Sequence, residues 1–368
     1  MICIILGTRP EMIKLSPVIK ALQRRKKKFF IIHTNQHYTY DMDKIFFEEL
    51  QLPLPKYNIN VGQRLKKKKS IISHGTQTGI LLDKIEQILL KEKPEVVLLQ
   101  GDTNSVLAGA LAASKLNIKV GHIEAGLRSY DRTMPEEINR VLADHVSDYL
   151  FCPTQKQKKI LMKEGIENRK IHITGNTIVD AVIRNSKIKK RKGEDLKKQY
   201  GLLKKGYILL TAHRQENITS LKKLKNILKA IEMVNADLKI PIAYPMHPRS
   251  EKMIKKMNLK LPKGVIKIKP VGYLQFLQMI KNSKLVITDS GGIQEECCIM
   301  KVPCVTIREN TERPETLDVK ANILAGTNPK KILISVKTML GRKKSWKNPF
   351  GDGKTGEKIV DIIFGKKN

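Results

Sequence analysis

A four-residue turn, Asp289-Ser290-Gly291-Gly292, separates an apolar strand pattern from a helical pattern. The free N–H groups at the start of a helix attract an anion, and glycines let a phosphate approach the backbone closely. Ser290 could add a hydroxyl, and Glu295 or Glu296 lies about one turn further along, where a carboxylate could accept hydrogen bonds from sugar hydroxyls. This spacing indicates a nucleotide-diphosphate site. The alternative is an ordinary strand–turn–helix with an Asp or Ser cap.

Other side chains able to transfer protons stand where predicted strands end or a predicted helix begins. Asp102 and Glu124 follow two apolar strand patterns, and Glu136 lies in the first turn of a helix pattern. His213 follows a strand in the second half of the chain. Such groups act as acids and bases near neutral pH when burial or neighbouring charges shift their pKa values. Each also has a structural alternative, because Asp102 could cap a helix and Glu136 suits a helix N-terminus whatever its function.

These residues need a scaffold that brings strand ends together. The run Ile2-Cys3-Ile4-Ile5-Leu6 is continuously apolar, which is typical of a strand buried on both faces of a parallel sheet. Similar strands alternate with helix patterns along both halves of the chain, and this alternation predicts two doubly wound, Rossmann-like α/β domains facing a cleft. We expect an N-terminal domain over residues 1–172, joined by a C-terminal helix at 354–368. We expect a nucleotide-binding domain over residues 173–353.

Composition excludes several classes of protein. A chain of 368 residues with 41% hydrophobic and 29% charged residues is typical of a two-domain globular enzyme. The N-terminus does not resemble a signal peptide, and no apolar run reaches the ~18 residues that a membrane span needs. We therefore expect a cytoplasmic protein without membrane insertion. The five cysteines lack C-x-x-C spacing, so we expect reduced core thiols and no metal site.

A formal net charge of +35 raises the alternative of a nucleic-acid-binding protein. The lysines are spread over the whole chain, aromatic residues make up only 5%, and no nucleic-acid-binding motif is present. We therefore interpret the charge as a solvated surface with a general attraction for anionic ligands, and expect no nucleic-acid partner.

Taken in order, several motifs resemble those of the non-hydrolysing UDP-N-acetylglucosamine 2-epimerases, which have a GT-B fold. The resemblance covers essentially the whole chain. Its motifs are Gly7-Thr8-Arg9-Pro10-Glu11, Gly101-Asp102-Thr103, His122-Ile123-Glu124-Ala125-Gly126-Leu127-Arg128, Pro135-Glu136-Glu137, Ala212-His213-Arg214, Ser290-Gly291-Gly292-Ile293-Gln294-Glu295-Glu296, Thr311-Glu312-Arg313-Pro314-Glu315 and Asn348-Pro349-Phe350-Gly351-Asp352-Gly353.

The resemblance implies inversion of carbon 2 in UDP-N-acetylglucosamine (UDP-GlcNAc) to give UDP-N-acetylmannosamine (UDP-ManNAc). The implied route eliminates UDP to leave 2-acetamidoglucal and then adds UDP back. It implies no cofactor, and a homodimer. The matching positions are catalytic Asp102, Glu124, Glu136 and His213; substrate-binding Arg9, Lys14, Tyr273, Phe276, Ser290, Gly291, Gly292, Glu296 and Arg313; and an activating UDP-GlcNAc site at Gln36, His37, Gln63, Arg214 and His247.

Within that implied set, Ser290, Gly291 and Gly292 form the diphosphate cradle with Arg9 and Arg313 as cations. Glu296 is the ribose-binding acid, Lys14 lies near the ribose and phosphate, and Tyr273 and Phe276 lie in the uracil-contacting segment. The chain departs from bacterial members at Val271 and Gln215, and in a shorter loop between Arg128 and Pro135.

Two other activities use the same phosphate-binding motifs. A hydrolysing 2-epimerase releases UDP and free N-acetylmannosamine, and a GT-B glycosyltransferase transfers the sugar to an acceptor. A dinucleotide-dependent dehydrogenase is disfavoured because Gly7-Thr8-Arg9 lacks the Gly-x-Gly-x-x-Gly loop.

Overall fold

The computed structural model describes residues 1–35, 46–61, 73–188, 199–204 and 206–365. Internal contacts divide the chain into two units, one of Met1–Ala181 with Phe350–Asn368 and one of Val182–Pro349. The sequence predicts a boundary after residue 172, whereas the first unit extends to residue 181 and includes residues from 350 onward. The reason is local hydrogen bonding: Asn176 N donates to Phe350 O at 2.8 Å and Gly356 N donates to Asp180 Oδ1 at 2.9 Å.

The first unit is built on a parallel sheet with strand order β3-β2-β1-β4-β5-β6-β7. Its two central strands, β1 and β4, are buried at every residue, as the continuous apolar runs predict. The strands are β1 (Ile2–Leu6), β2 (Phe29–His33), β3 (Tyr57–Asn58), β4 (Val96–Gln100), β5 (Lys119–Ile123), β6 (Tyr149–Cys152) and β7 (Ile171–Ile173). The helices are α1 (Arg9–Arg24), α2 (His74–Glu92), α3 (Asn104–Lys115), α4 (Pro135–His145), α5 (Gln155–Lys163), α6 (Thr177–Asn185, which crosses the unit boundary) and, from the C-terminal segment, α14 (Thr355–Ile363).

The second unit repeats this plan with a parallel sheet of order β10-β9-β8-β11-β12-β13. Its strands are β8 (Ile208–Thr211), β9 (Ile242–Pro245), β10 (Val265–Ile268), β11 (Leu285–Thr288), β12 (Cys304–Thr306) and β13 (Asn322–Leu324). Its helices are α7 (Gln215–Ile218), α8 (Leu221–Leu238), α9 (Pro248–Lys256), α10 (Tyr273–Asn282), α11 (Gly291–Ile299), α12 (Pro314–Asp318) and α13 (Pro329–Leu340). The predicted class of two parallel-sheet α/β domains is confirmed.

Each sheet has a point where the chain reverses its direction of winding. In the first unit this point lies between β1 and β4, and in the second between β8 and β11. Doubly wound sheets bind ligands outside the carboxyl ends of the strands at this reversal. Asp102, His213 and Ser290 lie in the turns after three of these strands, and Arg9 begins the helix after β1. The topology alone therefore places predicted site residues at both reversals.

The C-terminal helix α14 packs on α1 and completes the first unit. Arg25 Nη1 and Nη2 bind the two oxygens of Asp361 at 2.6 and 3.0 Å, and Arg24 also pairs with Glu357. Gly356 lies against α1, and a Cβ built there would come within 2.7 Å of the backbone C and O of Pro17. The two helices can approach this closely because residue 356 has no side chain.

All five cysteines are buried and none forms a disulfide. In the part of the chain that the structure describes, no helix is long and apolar enough to cross a bilayer.

Gly356→Ala is expected to lower the free energy of unfolding by about 1–3 kcal/mol, because its methyl group would overlap the Pro17 backbone, which cannot rotate away. Thermal denaturation followed by circular dichroism measures the loss. Gly79→Ala is the matched control, since Gly79 lies in α2 with nothing within 4 Å of its Cβ position. The control should be neutral or gain up to about 1 kcal/mol from helix propensity. Equal stability of the two variants would contradict the close helix contact.

Candidate active site

At the reversal of the first sheet, one buried carboxylate joins the turns after β1 and β4. Glu11 Oε2 accepts hydrogen bonds from Gly7 N at 2.6 Å and Thr8 N at 2.8 Å. Its other oxygen accepts a bond from Thr103 Oγ1 at 2.6 Å. Burial raises the pKa of Glu11 to about 7, although these hydrogen bonds act to lower it. Glu11 therefore ties the turn after β1 to the Thr103 side chain, next to Asp102. Its place in a capping box with Thr8 is a sequence signal that could have indicated a structural role.

Asp102, just after the end of β4, is held by two neighbouring side chains. Arg140 Nη2 donates to Asp102 Oδ2, and Arg140 Nη1 binds Glu137 Oε2 at 2.8 Å. Asn139 Nδ2 donates to the main-chain oxygen of Asp102 at 2.9 Å. The Asp102 side chain nevertheless keeps 32% of its surface exposed. A carboxylate that is oriented by a cation and still accessible can meet a ligand.

The two adjacent carboxylates at the start of α4 have separate roles. Glu137 is buried and accepts hydrogen bonds from Ser129 N, Ser129 Oγ and Tyr130 N at 2.8–2.9 Å. It therefore organises the short loop before α4. Glu136 is exposed, and within the described ranges its side chain makes no hydrogen bond or ion pair. Of the two, Glu136 is the one available to a ligand.

Glu124 and Lys14 were predicted for different roles, and the structure brings them together. Lys14 Nζ lies 2.6 Å from Glu124 Oε1 with both side chains buried. Gln100 Nε2 donates to Glu124 Oε2, and Asn176 Nδ2 lies 3.5 Å from Oε1. Glu124 also has a φ of +72°, a left-handed conformation that costs energy for a residue other than glycine. The turn after β5 therefore has an uncommon backbone conformation. In this conformation the buried Glu124 carboxylate is paired with Lys14.

In the second unit, Asp289 links the segments at the sheet reversal, as Glu11 does in the first unit. This fully buried carboxylate follows β11 and accepts hydrogen bonds from two N–H groups in the turn after β8, His213 N and Arg214 N, each at 2.9 Å. It also accepts one from Asn217 Nδ2 on α7 at 3.2 Å. Asp289 therefore binds across the sheet reversal instead of capping α11. The Ser290 side chain makes no capping bond to α11 either. The alternative of an ordinary Asp or Ser cap is therefore wrong.

The start of α11 leaves room for a ligand to approach its backbone. A Cβ built on Gly292 would meet no atom within 4 Å, and one on Gly291 would lie 3.6 Å from Glu312 Oε2. Packing within the protein therefore does not require glycine at residue 292. The N–H groups of this helix start remain available to an anion.

The two acids in α11 bind different partners. Glu295 Oε1 lies 2.7 Å from Arg313 Nε, so a buried carboxylate orients the predicted phosphate-binding arginine. Glu296 lies against the Tyr273 hydroxyl, and burial together with this carboxylate raises the pKa of Tyr273. Phe276 lies on the same helix as Tyr273 and is half-buried. The structure thus brings Glu296 and Tyr273 together within the second unit.

His213 and His247 stack against one another with ring centroids 5.8 Å apart. Burial lowers the pKa of both imidazoles. Asp289, 3.4 Å from His213 Nδ1, opposes this effect, whereas Arg249 adds to it at both histidines. Near pH 7 His213 is therefore a neutral imidazole beside positive charge from Arg214 and Arg249.

The remaining predicted residues are divided between described and undescribed parts of the chain. The Arg9 guanidinium lies 5.5 Å from the centre of the Phe46 ring. Gln36, His37 and Gln63 lie outside the described residues. Across the described ranges, no three His, Cys, Asp or Glu side chains form a group that could hold a metal ion.

Comparison with known proteins gives matches along the whole chain. A profile of the UDP-N-acetylglucosamine 2-epimerase family matches residues 20–364. A UDP-N-acetylglucosamine 2-epimerase of Methanocaldococcus jannaschii is 55% identical, over 99% of this chain and 99% of that protein. One of Methanococcus maripaludis is 57% identical, over 99% of this chain and 98% of that protein. A crystal structure of the M. jannaschii UDP-GlcNAc 2-epimerase in complex with UDP-GlcNAc and UDP matches with a TM-score of 0.90 and 54% identity, over 99% of each chain.

Arg249→Ala is expected to raise the pKa of both His213 and His247, because it removes a nearby positive charge that disfavours their protonation. NMR titration of the imidazole signals measures the shift. Arg249 is exposed, so the fold should be unaffected. Asp289→Asn is the opposing variant and should lower the pKa of His213 further, since Asp289 favours the protonated form. Shifts with the reverse signs would contradict this electrostatic description.

Proposed function

The chain belongs to the UDP-N-acetylglucosamine 2-epimerase family, and from this membership we propose that it interconverts UDP-GlcNAc and UDP-ManNAc by inverting carbon 2. The full-length similarity to epimerases of that name, one of which was crystallised with UDP-GlcNAc and UDP, carries the proposal. The predicted family resemblance is confirmed.

The second unit is proposed to bind UDP. Its support is the start of α11, where backbone N–H groups and the open space at Gly292 suit a diphosphate. Arg313, oriented by Glu295, adds a cation, and the Ser290 hydroxyl is not used to cap the helix. Glu296 would accept hydrogen bonds from the ribose, with Tyr273 and Phe276 on the neighbouring α10 contacting the uracil side.

The first unit is proposed to supply the proton transfers. A base removes the proton from carbon 2, and the electrons of that C–H bond form a double bond to carbon 1. The bond from carbon 1 to the diphosphate oxygen breaks, and UDP departs with its electron pair. In the return step UDP attacks carbon 1, and an acid delivers a proton to carbon 2 from the other face. Two faces require two groups, which is why several carboxylates are needed.

Three carboxylates are assigned to these transfers on the basis of their surroundings. Asp102 is oriented by Arg140 and remains accessible. Glu136 is exposed with no bond to its side chain among described residues. Glu124 is buried in an ion pair with Lys14, and Lys14 would turn to the ribose and phosphate once substrate is bound. Arg9, at the start of α1, is assigned to the departing diphosphate as a further cation.

His213 is assigned to the diphosphate or to proton movement, because it is a neutral imidazole at the reversal of the second sheet. Arg214 and His247, adjacent to it, stay predicted members of an activating UDP-GlcNAc site, as do Gln36, His37 and Gln63. The homodimer and the cytoplasmic location also stay predictions.

The hydrolysing epimerase and the glycosyltransferase differ from this proposal in their products. The hydrolysing reaction would release free N-acetylmannosamine and UDP. Glycosyl transfer would break only the anomeric bond and leave carbon 2 unchanged.

In deuterated water, the protein alone should convert UDP-GlcNAc to UDP-ManNAc with deuterium at carbon 2, because the proton on that carbon exchanges with solvent during elimination and re-addition. NMR and mass spectrometry of the isolated nucleotide sugars measure the label. No nicotinamide cofactor is added. Label in free N-acetylmannosamine would indicate the hydrolysing reaction, and an unlabelled carbon 2 in the product would exclude the elimination route.

Gly292→Ala should weaken UDP binding by at least ~10-fold, or about 1.4 kcal/mol, because its methyl group would fill the space through which a phosphate reaches the backbone. Isothermal titration calorimetry measures the affinity. The melting temperature should not fall, since the methyl group meets no protein atom within 4 Å. Gly79→Ala, the same change in α2, should leave UDP affinity unchanged. Wild-type affinity in Gly292→Ala would exclude this part of the cradle.

A further inference from the structure

His122, the fourth of the five residues of β5, has both ring nitrogens close to oxygen atoms. Its Nδ1 lies 2.7 Å from Asp144 Oδ1 and its Nε2 lies 2.7 Å from the main-chain oxygen of Gly101. Its side chain is completely buried, so water cannot supply another partner. A main-chain carbonyl can only accept a hydrogen bond, and an ionised carboxylate can only accept one. Both contacts are hydrogen bonds only if each ring nitrogen carries a proton.

The charged groups packed around His122 favour a positive ring, because the nearest of them is a buried carboxylate. Asp144 on α4 also accepts from Arg128 Nη1 at 2.7 Å and from Gly126 N at 3.1 Å. Arg128 in turn binds Glu164, at the end of α5, through two bonds of 2.8 and 2.6 Å. Two carboxylates therefore face one guanidinium and one imidazole. Asp144 is completely buried, and an imidazolium at one of its oxygens and a guanidinium at the other stabilise its charge, whereas Glu164 keeps 27% of its side-chain surface exposed.

A nearby thiol adds no charge to this group. Cys152 on β6 lies near Asp144, and burial raises the pKa of its thiol, so it is neutral at physiological pH. Burial by itself lowers the pKa of His122, but the attraction of Asp144 and the hydrogen bonds to Asp144 and Gly101 outweigh it and raise the pKa.

The residue that His122 holds is the one directly before Asp102. Gly101 has a φ of +84°, and its N–H donates to Ile123 O at 3.2 Å. Consecutive residues of β5 thus bind Gly101 on both sides, His122 through its side chain and Ile123 through its backbone. Loss of the Nε2 proton would place a nitrogen lone pair against the Gly101 oxygen and push the turn away.

We infer that His122 is a positioning residue, held as a doubly protonated imidazolium, which fixes the Gly101-Asp102-Thr103 turn so that the Asp102 carboxylate is correctly placed for proton transfer. The inference rests on the proposed function in so far as Asp102 is a catalytic group. His122 is buried beneath the turn and acts through Asp102.

Two substitutions separate the two hydrogen bonds of His122. The amide nitrogen of Gln reaches the position of Nε2, so His122→Gln can keep the bond to Gly101 and lose that to Asp144. The amide nitrogen of Asn reaches the position of Nδ1, so His122→Asn can keep the bond to Asp144 and lose that to Gly101. Both variants remove the same charge, so they form a matched pair.

Steady-state epimerisation by full-length wild-type protein and the two variants tests the role. His122→Asn should lose kcat by up to ~100-fold with a smaller change in KM, because a displaced reacting group can cost that much. His122→Gln should retain most of the wild-type kcat. Equal losses in the two variants would overturn the positioning role and leave only a contribution to folding, which thermal denaturation measures separately.

The protonation state is tested directly by NMR of protein labelled with ¹⁵N-histidine. At pH 7 both ring nitrogens of His122 should show attached protons, a signal that His122→Gln must lack. An unprotonated nitrogen at pH 7 in active protein would overturn the inference. This readout does not depend on activity: absence of epimerisation in the wild type would overturn the proposed function and the catalytic purpose of His122, while the NMR signal still decides its charge.

The pH dependence has a defined sign. Because the pKa of His122 is higher in the folded protein than in the unfolded chain, its stabilisation is fully present below about pH 6.5, the unfolded value, and is lost as pH rises through the folded value. Wild-type kcat should therefore fall at alkaline pH in a step that His122→Gln lacks. Identical alkaline profiles for the two proteins would count against the role of His122.

Discussion

Both units depend on one physical requirement: backbone N–H groups in the turns at a sheet reversal have no neighbouring strand to bind. A buried N–H without an acceptor destabilises the folded state. In each unit one buried carboxylate satisfies two of these groups and links two turns, Glu11 in the first and Asp289 in the second. These two side chains therefore tie the segments next to Asp102 and at His213 to the neighbouring turn of the same sheet. The two carboxylates differ in position, since Glu11 follows the first strand of its reversal and Asp289 follows the later one.

Two of the proposed catalytic carboxylates and the proposed phosphate-binding arginine form ion pairs within their own unit. Arg140 binds Asp102, Lys14 binds Glu124 and Glu295 binds Arg313. A buried ion pair contributes little net stability, but it fixes the orientation of both side chains. The chain carries a formal charge of +35, so positive charge by itself cannot mark a site. What distinguishes these cations is burial next to a specific acid.

Most of the fold could be predicted from sequence, because continuous apolar runs such as residues 2–6 have no stable place except a strand covered on both faces. The sequence identified the motifs of the site, but it did not always identify the role of each residue within a motif. Glu136 and Glu137 are neighbours on one helix, and only the loop that Glu137 binds shows which of them is exposed. The same holds for Glu295 and Glu296, which bind different partners. The roles of His122 and Asp289 depend on strands distant in sequence, which no local pattern specifies.

The first unit is completed by α14, which comes from the C-terminal segment. The core of the first unit includes Ile359 and Val360, and Arg25 binds Asp361 on that helix. During synthesis the ribosome must produce the whole of residues 182–349 before these groups exist. The second unit is continuous in sequence and can fold while it emerges, whereas the first must wait with the face of α1 around Pro17 uncovered. A chaperone that binds exposed apolar surface would therefore have access to this face of α1 until α14 has been synthesised.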